Sequence, residues 1–288
     1  MVKVKYVEST TRSLELLNKL INLAGNSLKI KKIIVEEPYK EFNLRPQIHV
    51  FISAPFGEFK STILQEIINH YGGKIITDIT FASLVGSIDR ITKQIIPAAV
   101  WECRNKPLIL DEYSASRSWQ VVDALLQLLE HQYYSRKVAT YSADLNEEDG
   151  DLYFKVKSGN IEVKTRFSCI CATMKNICMI RKQITEALLS RFIPIRYEMS
   201  EKEIDEVLDG KPLFKPEKLE VDPEVRIKLK DYQYIRDIIK KVKSKRKIKG
   251  IENILARTVN ECCRCYAVLG KHDEKLYENI LLLKARFT

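Results

Sequence analysis

The sequence predicts an α/β fold: a mostly parallel sheet sandwiched by helices, followed by a small all-α unit. Three observations carry that expectation. Short apolar runs at residues 48–53, 108–110 and 166–173 are bounded by turn residues and have the length of strands buried on both faces. Segments of helical period alternate with them, as a parallel sheet requires. Beyond Glu198 the strand pattern stops, Pro212, Pro216 and Pro223 mark a linker, and the apolar spacing turns helical.

Taken in order, Leu14, Leu17, Leu20 and Ile21 place an amphipathic helix over residues 11–24. Residues 27–39 are mixed and have room for a short strand. Pro46 breaks the chain before the first core strand, 48–53, and a glycine-bearing loop leads into a helix over 61–71. A strand at 74–77 and a helix at 81–87 follow. Pro107 precedes the strand 108–110, which ends in Asp111 and Glu112. A long helix covers 119–133, and the acidic stretch 144–151 reads as an exposed loop. Residues 153–157 and 161–164 alternate around Ser158-Gly159-Asn160, a hairpin signature. The strand 166–173, a helix at 182–190 and a strand at 192–197 complete the unit. Helices are expected at 225–245, 251–269 and 274–284. The reading divides the chain into an N-terminal helical extension (1–44), an α/β core (45–199) and a helical lid (200–288).

The chain has 288 residues and a net charge of +10. Such a balance favours partners that carry phosphates and does not choose among nucleotides, nucleic acid and acidic membrane surfaces. No apolar run approaches the roughly 20 residues a membrane helix needs, and the first residues lack an apolar signal core. The expectation is an intracellular, soluble protein. Seven cysteines, an odd number, argue against a disulfide framework. Cys262, Cys263 and Cys265 fit buried thiols in a helix better than a metal site.

The chemistry concentrates in two places. Residues 54–62, Ala-Pro-Phe-Gly-Glu-Phe-Lys-Ser-Thr, follow a strand and open a helix. Backbone N–H groups at a helix N-terminus hold phosphate oxygens, a lysine there reaches the outer phosphates, and the next hydroxyl binds magnesium. The residues concerned are Pro55, Gly57, Glu58, Phe59, Lys60, Ser61 and Thr62. Phe59 stands where a glycine would let the backbone pass close to phosphate. The second place is Asp111-Glu112 at a strand end. One carboxylate there holds a magnesium shell and its neighbour polarises a water.

With both on one sheet, the sequence resembles the AAA+ ATPases. Pro55, Gly57, Lys60 and Ser61 match their Gly-Pro-Pro-Gly-Thr-Gly-Lys-Ser loop, and Asp111-Glu112 match their Walker B acids. The strand ending Cys171-Ala172-Thr173 resembles their sensor-1 strand, with Thr173 or Asn176 in the sensor role. Residues 188–192, Leu-Leu-Ser-Arg-Phe, look like the helix end that carries an arginine finger, Arg191, and Arg257 looks like sensor 2. The hairpin before the sensor-1 strand, residues 80–84 (Thr-Phe-Ala-Ser-Leu) and the triplet Ser190-Arg191-Phe192 resemble the minichromosome-maintenance, helicase-like branch. The resemblance implies ATP and Mg2+ as ligands, Glu112 activating water, Ser61 and Asp111 on the metal, and Arg191 acting in trans within a homo-oligomeric ring, a hexamer. It implies work on DNA in replication, as a helicase or its loader, with Lys155, Lys157 and Lys164 of the hairpin as nucleic-acid candidates. Two rival readings are an ATP-gated assembly scaffold with weak turnover, suggested by Phe59 and Met174, and a protein-remodelling ATPase.

Overall fold

The computed structural model describes residues 13–55, 57–89, 91–92, 94–113, 118–137, 144–174, 186–246, 248 and 252–286. The first described elements are α1 (Ser13–Ser27), β1 (Lys32–Glu36) and β2 (Glu41–Leu44). The core follows: β3 (Val50–Ser53), α2 (Lys60–Tyr71), β4 (Lys74–Ile76), α3 (Phe81–Val85), β5 (Ser87–Ile88), β6 (Ile95–Ile96), α4 (Ala99–Glu102), β7 (Pro107–Leu110) and α5 (Trp119–His131). Then come β8 (Tyr133–Lys137), β9 (Leu145–Asp149), β10 (Leu152–Lys157), β11 (Asn160–Lys164), β12 (Ser168–Thr173), α6 (Glu186–Leu189) and β13 (Ile193–Arg196). The last part holds α7 (Glu201–Leu208), β14 (Glu224–Ile227), α8 (Leu229–Lys245), α9 (Glu252–Leu269) and α10 (Glu274–Arg286).

Five parallel strands form the central sheet in the order β13-β3-β12-β7-β4. Alternate residues of each strand face opposite ways, and the sheet therefore feeds two apolar clusters. Val50, Ile52, Ile109, Ile170, Ala172, Ile193 and Ile195 join α1, α2 and the C-terminal helices. Phe51, Leu108, Leu110, Cys169 and Cys171 join α4, α5 and a four-stranded antiparallel sheet, β8-β11-β10-β9. His49, just before β3, is buried and its Nδ1 accepts from the Cys169 N–H at 3.0 Å. Burial, with Arg264 and Lys284 nearby, pushes its pKa down to about 3, so the ring is neutral at physiological pH.

The structure departs from the sequence reading in several places. The N-terminal extension is not only helical, and the C-terminal part is not all-α. Strand β14 lies parallel to β1, with Ile33 opposite Val225, and β2 completes a three-stranded sheet. Residues 225–227 were expected as the first turn of a helix, but α8 starts only at Leu229 because Val225 and Ile227 alternate against β1. The acidic stretch expected as a loop is largely the strand β9. Among the described residues it pairs only with β10, and its Glu147, Glu148 and Asp149 are the charges that keep an edge strand from pairing further.

The expected proline-marked linker is a fixed strap. Asn18, Asn22 and Asn26 stand four residues apart on α1, about 6 Å per step. An extended chain advances about 6.6 Å over two residues, so each amide meets every second residue of segment 213–219. Asn18 donates to Leu213 O (2.9 Å) and accepts from Lys215 N (2.8 Å). Asn22 donates to Lys215 O (2.8 Å) and accepts from Glu217 N (2.8 Å). Asn26 donates to Glu217 O (2.9 Å) and accepts from Leu219 N (3.4 Å). Pro212 and Pro216 fall at the even positions, whose nitrogens the ladder does not use. Glu66 of α2 receives the N–H of Phe214 at 2.6 Å. Strap, α1 and α2 thus form one bonded unit.

No helix among the described residues is long and apolar enough to cross a membrane. Cys262, Cys263 and Cys265 are buried free thiols whose pKa burial pushes up.

Candidate active site

The loop of residues 54–59 leaves the C-terminal end of β3 and turns into α2. Its start is pinned to the neighbouring strand, where Ala54 N donates to Thr173 O at 3.1 Å. Two left-handed residues then shape it, Gly57 (φ 89°) and Phe59 (φ 50°, ψ 27°). A Cβ at Gly57 would meet nothing, so glycine is there for its backbone conformation and not for space. Phe59 accepts the same constraint at a cost of about 1 kcal/mol, while its ring packs on the core. It caps α2 with no side-chain acceptor for the first N–H groups. Those N–H groups and the positive helix end make an anion cradle. Ser61 and Thr62 stand exposed in the first turn. The segment therefore takes the left-handed turn that glycine would give, with phenylalanine.

This predicts the outcome of Phe59→Gly. Relief of the left-handed strain and the added flexibility of the unfolded chain roughly cancel, each about 1 kcal/mol. Loss of a half-buried ring remains, so urea unfolding should register a loss of about 1 kcal/mol. For a nucleotide bound as proposed below, affinity should be unchanged. A tenfold drop in affinity would mean that the ring itself lines the pocket.

Strand β7 brings the acids. Asp111 N donates to Ile76 O (2.9 Å) and Tyr113 N to Ala172 O (2.9 Å), which fixes the turn to both neighbouring strands. Glu112 between them is left-handed (φ 52°), and its N–H donates to Asp111 Oδ1 at 2.9 Å. Lys60 Nζ donates to Asp111 Oδ1 at 2.8 Å and also to the Glu112 carboxylate. Lys60 is 7% exposed and Asp111 9%, whereas Glu112 keeps one side toward water. Thr173 ends β12, between β3 and β7, and is buried. Lys60, Asp111, Glu112 and Thr173 thus share the C-terminal edge of the sheet. The strand order reverses at β3 and β12, and that crevice is where open α/β sheets place ligands.

A lysine, two carboxylates and a helix N-terminus suit a magnesium-bound polyphosphate. Among the described residues no group of three or more His, Cys, Asp and Glu is placed to hold a metal alone. Magnesium needs no such cage, because it takes one or two protein oxygens and fills the rest from phosphates and water. Ser61 and Asp111 would be those oxygens. The bare Lys60–Asp111–Glu112 set carries one excess negative charge, which a metal shell beside Asp111 would balance while Lys60 turned to phosphate.

The other proposed residues lie elsewhere. The Glu58 carboxylate is taken up by the chain after β13, accepting the Met199 N–H at 2.5 Å. Arg191 precedes β13, whose Ile193 N donates to His49 O, so it sits at the N-terminal edge of the sheet. A four-residue strand, about 13 Å, separates that edge from Lys60. Arg191 bonds Glu130 at the end of α5 and the carbonyl of Ala187. Arg257 was expected at the cofactor, yet it lies at the same edge as Arg191. Burial and Arg191 push its pKa down while Glu130 pulls it up. Lys284 of α10 fixes this corner by donating to Ser190 O at 2.9 Å. Nothing in the sequence singled out Glu130, a lone acid at a helix end. Asn176 lies outside the described residues, and Met174 is 47% exposed.

The hairpin is present, with Ser158 and Gly159 left-handed (φ 51° and 75°) as a two-residue turn requires. Its lysines are largely engaged. Lys155 pairs with Glu148 (3.2 Å) and covers the Tyr153 ring at 4.5 Å, and Lys164 pairs with Asp151 (3.6 Å). Lys157 is exposed near the tip. The chain matches no protein-family model and no curated protein.

Proposed function

We propose that the chain is an ATPase of the AAA+ kind that binds ATP with Mg2+, assembles as a homo-oligomeric ring, a hexamer, and acts on nucleic acid. The observation that supports this most is the meeting of Lys60 with Asp111 and Glu112 at the mouth of a helix N-terminus, at the reversal point of a parallel sheet. In this reading Lys60 and the α2 N–H groups hold phosphates, Ser61 and Asp111 would hold the metal, Thr173 or Asn176 orients a water and Glu112 takes its proton.

Arg191 and Arg257 fit the same reading from the opposite edge. Neither reaches the phosphates of its own subunit, but together they form a cationic pair for a neighbour's. Glu130 holds Arg191 until then. A subunit-mixing experiment tests this. Arg191→Ala is expected to keep nucleotide affinity and lose turnover by about 10³-fold. Mixing it with Lys60→Met subunits, also inactive, should restore turnover where an intact cradle meets an intact arginine. If mixtures stay inactive, Arg191 does not act across subunits.

A further inference from the structure

We propose that the outer face of α8 is a docking surface for the phosphate backbone of a nucleic acid strand. Residues 228–249 contain ten lysines and arginines against two aspartates, a net +8 of the whole chain's +10. The four-stranded sheet, by contrast, holds five cations against six carboxylates over residues 133–137 and 144–164. Two of its lysines, Lys155 and Lys164, are also held in ion pairs. The excess positive charge therefore falls on α8, which itself holds six cations against two aspartates, and on the residues that flank it in sequence, and not on the hairpin.

The arrangement on the helix is one-sided. Tyr232, Ile235 and Ile239 are buried and define the inner face. At about 100° per residue, Lys230 and Lys241 fall opposite, Lys240 and Lys245 fall on the two flanks of the outer face, and all four are exposed. Asp237 is the one acid among them. The stripe runs about 22 Å along the axis. Arg246 is taken by Glu278 at 2.8 Å. No ion pair among the described residues engages Lys230, Lys240, Lys241 or Lys245.

Attraction to the helix dipole explains only cations in the last turn, here Lys243 and Lys245. Lys240 and Lys241 precede it, and Lys230 stands at the end where the dipole disfavours a cation. Lys241 and Lys245 are an i,i+4 like-charge pair, which weakens a helix unless an anion lies across it. A run of phosphates satisfies all of these positions. The inference rests on nucleic acid as the partner and is independent of which residue activates water.

The experiment follows a fluorescein-labelled oligothymidylate by anisotropy over a salt series, with the full chain. Three proteins are compared: the parent, K240Q/K241Q/K245Q, and K155Q/K157Q/K164Q. The helix variant is expected to bind about tenfold or more weakly at low salt, with a salt slope smaller by about 2, near 0.7 for each lost phosphate contact. Its unfolding temperature and its basal ATP turnover should match the parent's. The hairpin variant should bind as the parent does. Parent-like binding by the helix variant, or loss confined to the hairpin variant, overturns the proposal. So does a helix variant that loses only its binding to phosphatidylserine vesicles. If the parent binds no oligonucleotide, the nucleic-acid part of the proposed function falls with it, while measured ATP turnover leaves the hydrolytic part standing.

Discussion

Glu112→Gln is expected to bind ATP as tightly as the parent and to hydrolyse it about 10² to 10⁴ times more slowly, the range for loss of a positioned general base. The amide keeps the size of the side chain and an acceptor for Lys60. It cannot take a proton from water. The left-handed turn at Glu112 does not depend on the carboxylate, because the Asp111 and Tyr113 N–H bonds fix it on either side. A structural collapse would therefore not mimic the loss. Single-turnover hydrolysis with a separate binding titration checks it. Parent-like turnover would remove Glu112 from the mechanism and leave the cradle intact.

Lys60→Met has two expected effects. The first is on binding: losing two charge-assisted bonds to phosphate, each about 1.5 kcal/mol, lowers ATP affinity roughly a hundredfold. The second is on the empty protein. Methionine fills the buried space but leaves Asp111 and Glu112 side by side without their cation. Breaking one side of a buried pair costs about 3 kcal/mol at the low end, which applies here because Glu112 keeps contact with water. Chemical denaturation without nucleotide measures this term alone. A variant as stable as the parent would show that the ion pair contributes nothing net. Unchanged ATP affinity would show that Lys60 does not hold phosphate.

The central sheet and the acid pair were legible because their signals are local. A strand, a loop and a helix follow one another over residues 48–71, and Asp111-Glu112 closes an apolar run. What escaped depends on register between distant segments. The pairing of β1 with β14 joins two short runs nearly 200 residues apart, and residues 225–227 continue smoothly into a helical pattern. The engagement of Lys155 and Lys164 could not be read without β9, whose acids pass equally for a loop. Helical phase says which side of α9 Arg257 faces but not which end of the sheet that side meets. Phe59 violates a consensus in sequence and satisfies the backbone in three dimensions, since αL is costly for phenylalanine but not closed to it.

The asparagine ladder has a consequence for how the protein is made. Its two halves are 191 to 197 residues apart in the chain. At 5 to 20 residues per second, α1 leaves the ribosome roughly ten to forty seconds before the strap that completes it. During that interval the three amides must find water, and the apolar side of α1 waits for a sheet whose last strand is also unsynthesised. α1 is thus among the last helices to be locked, and a nascent chain halted before residue 213 would carry it unfastened.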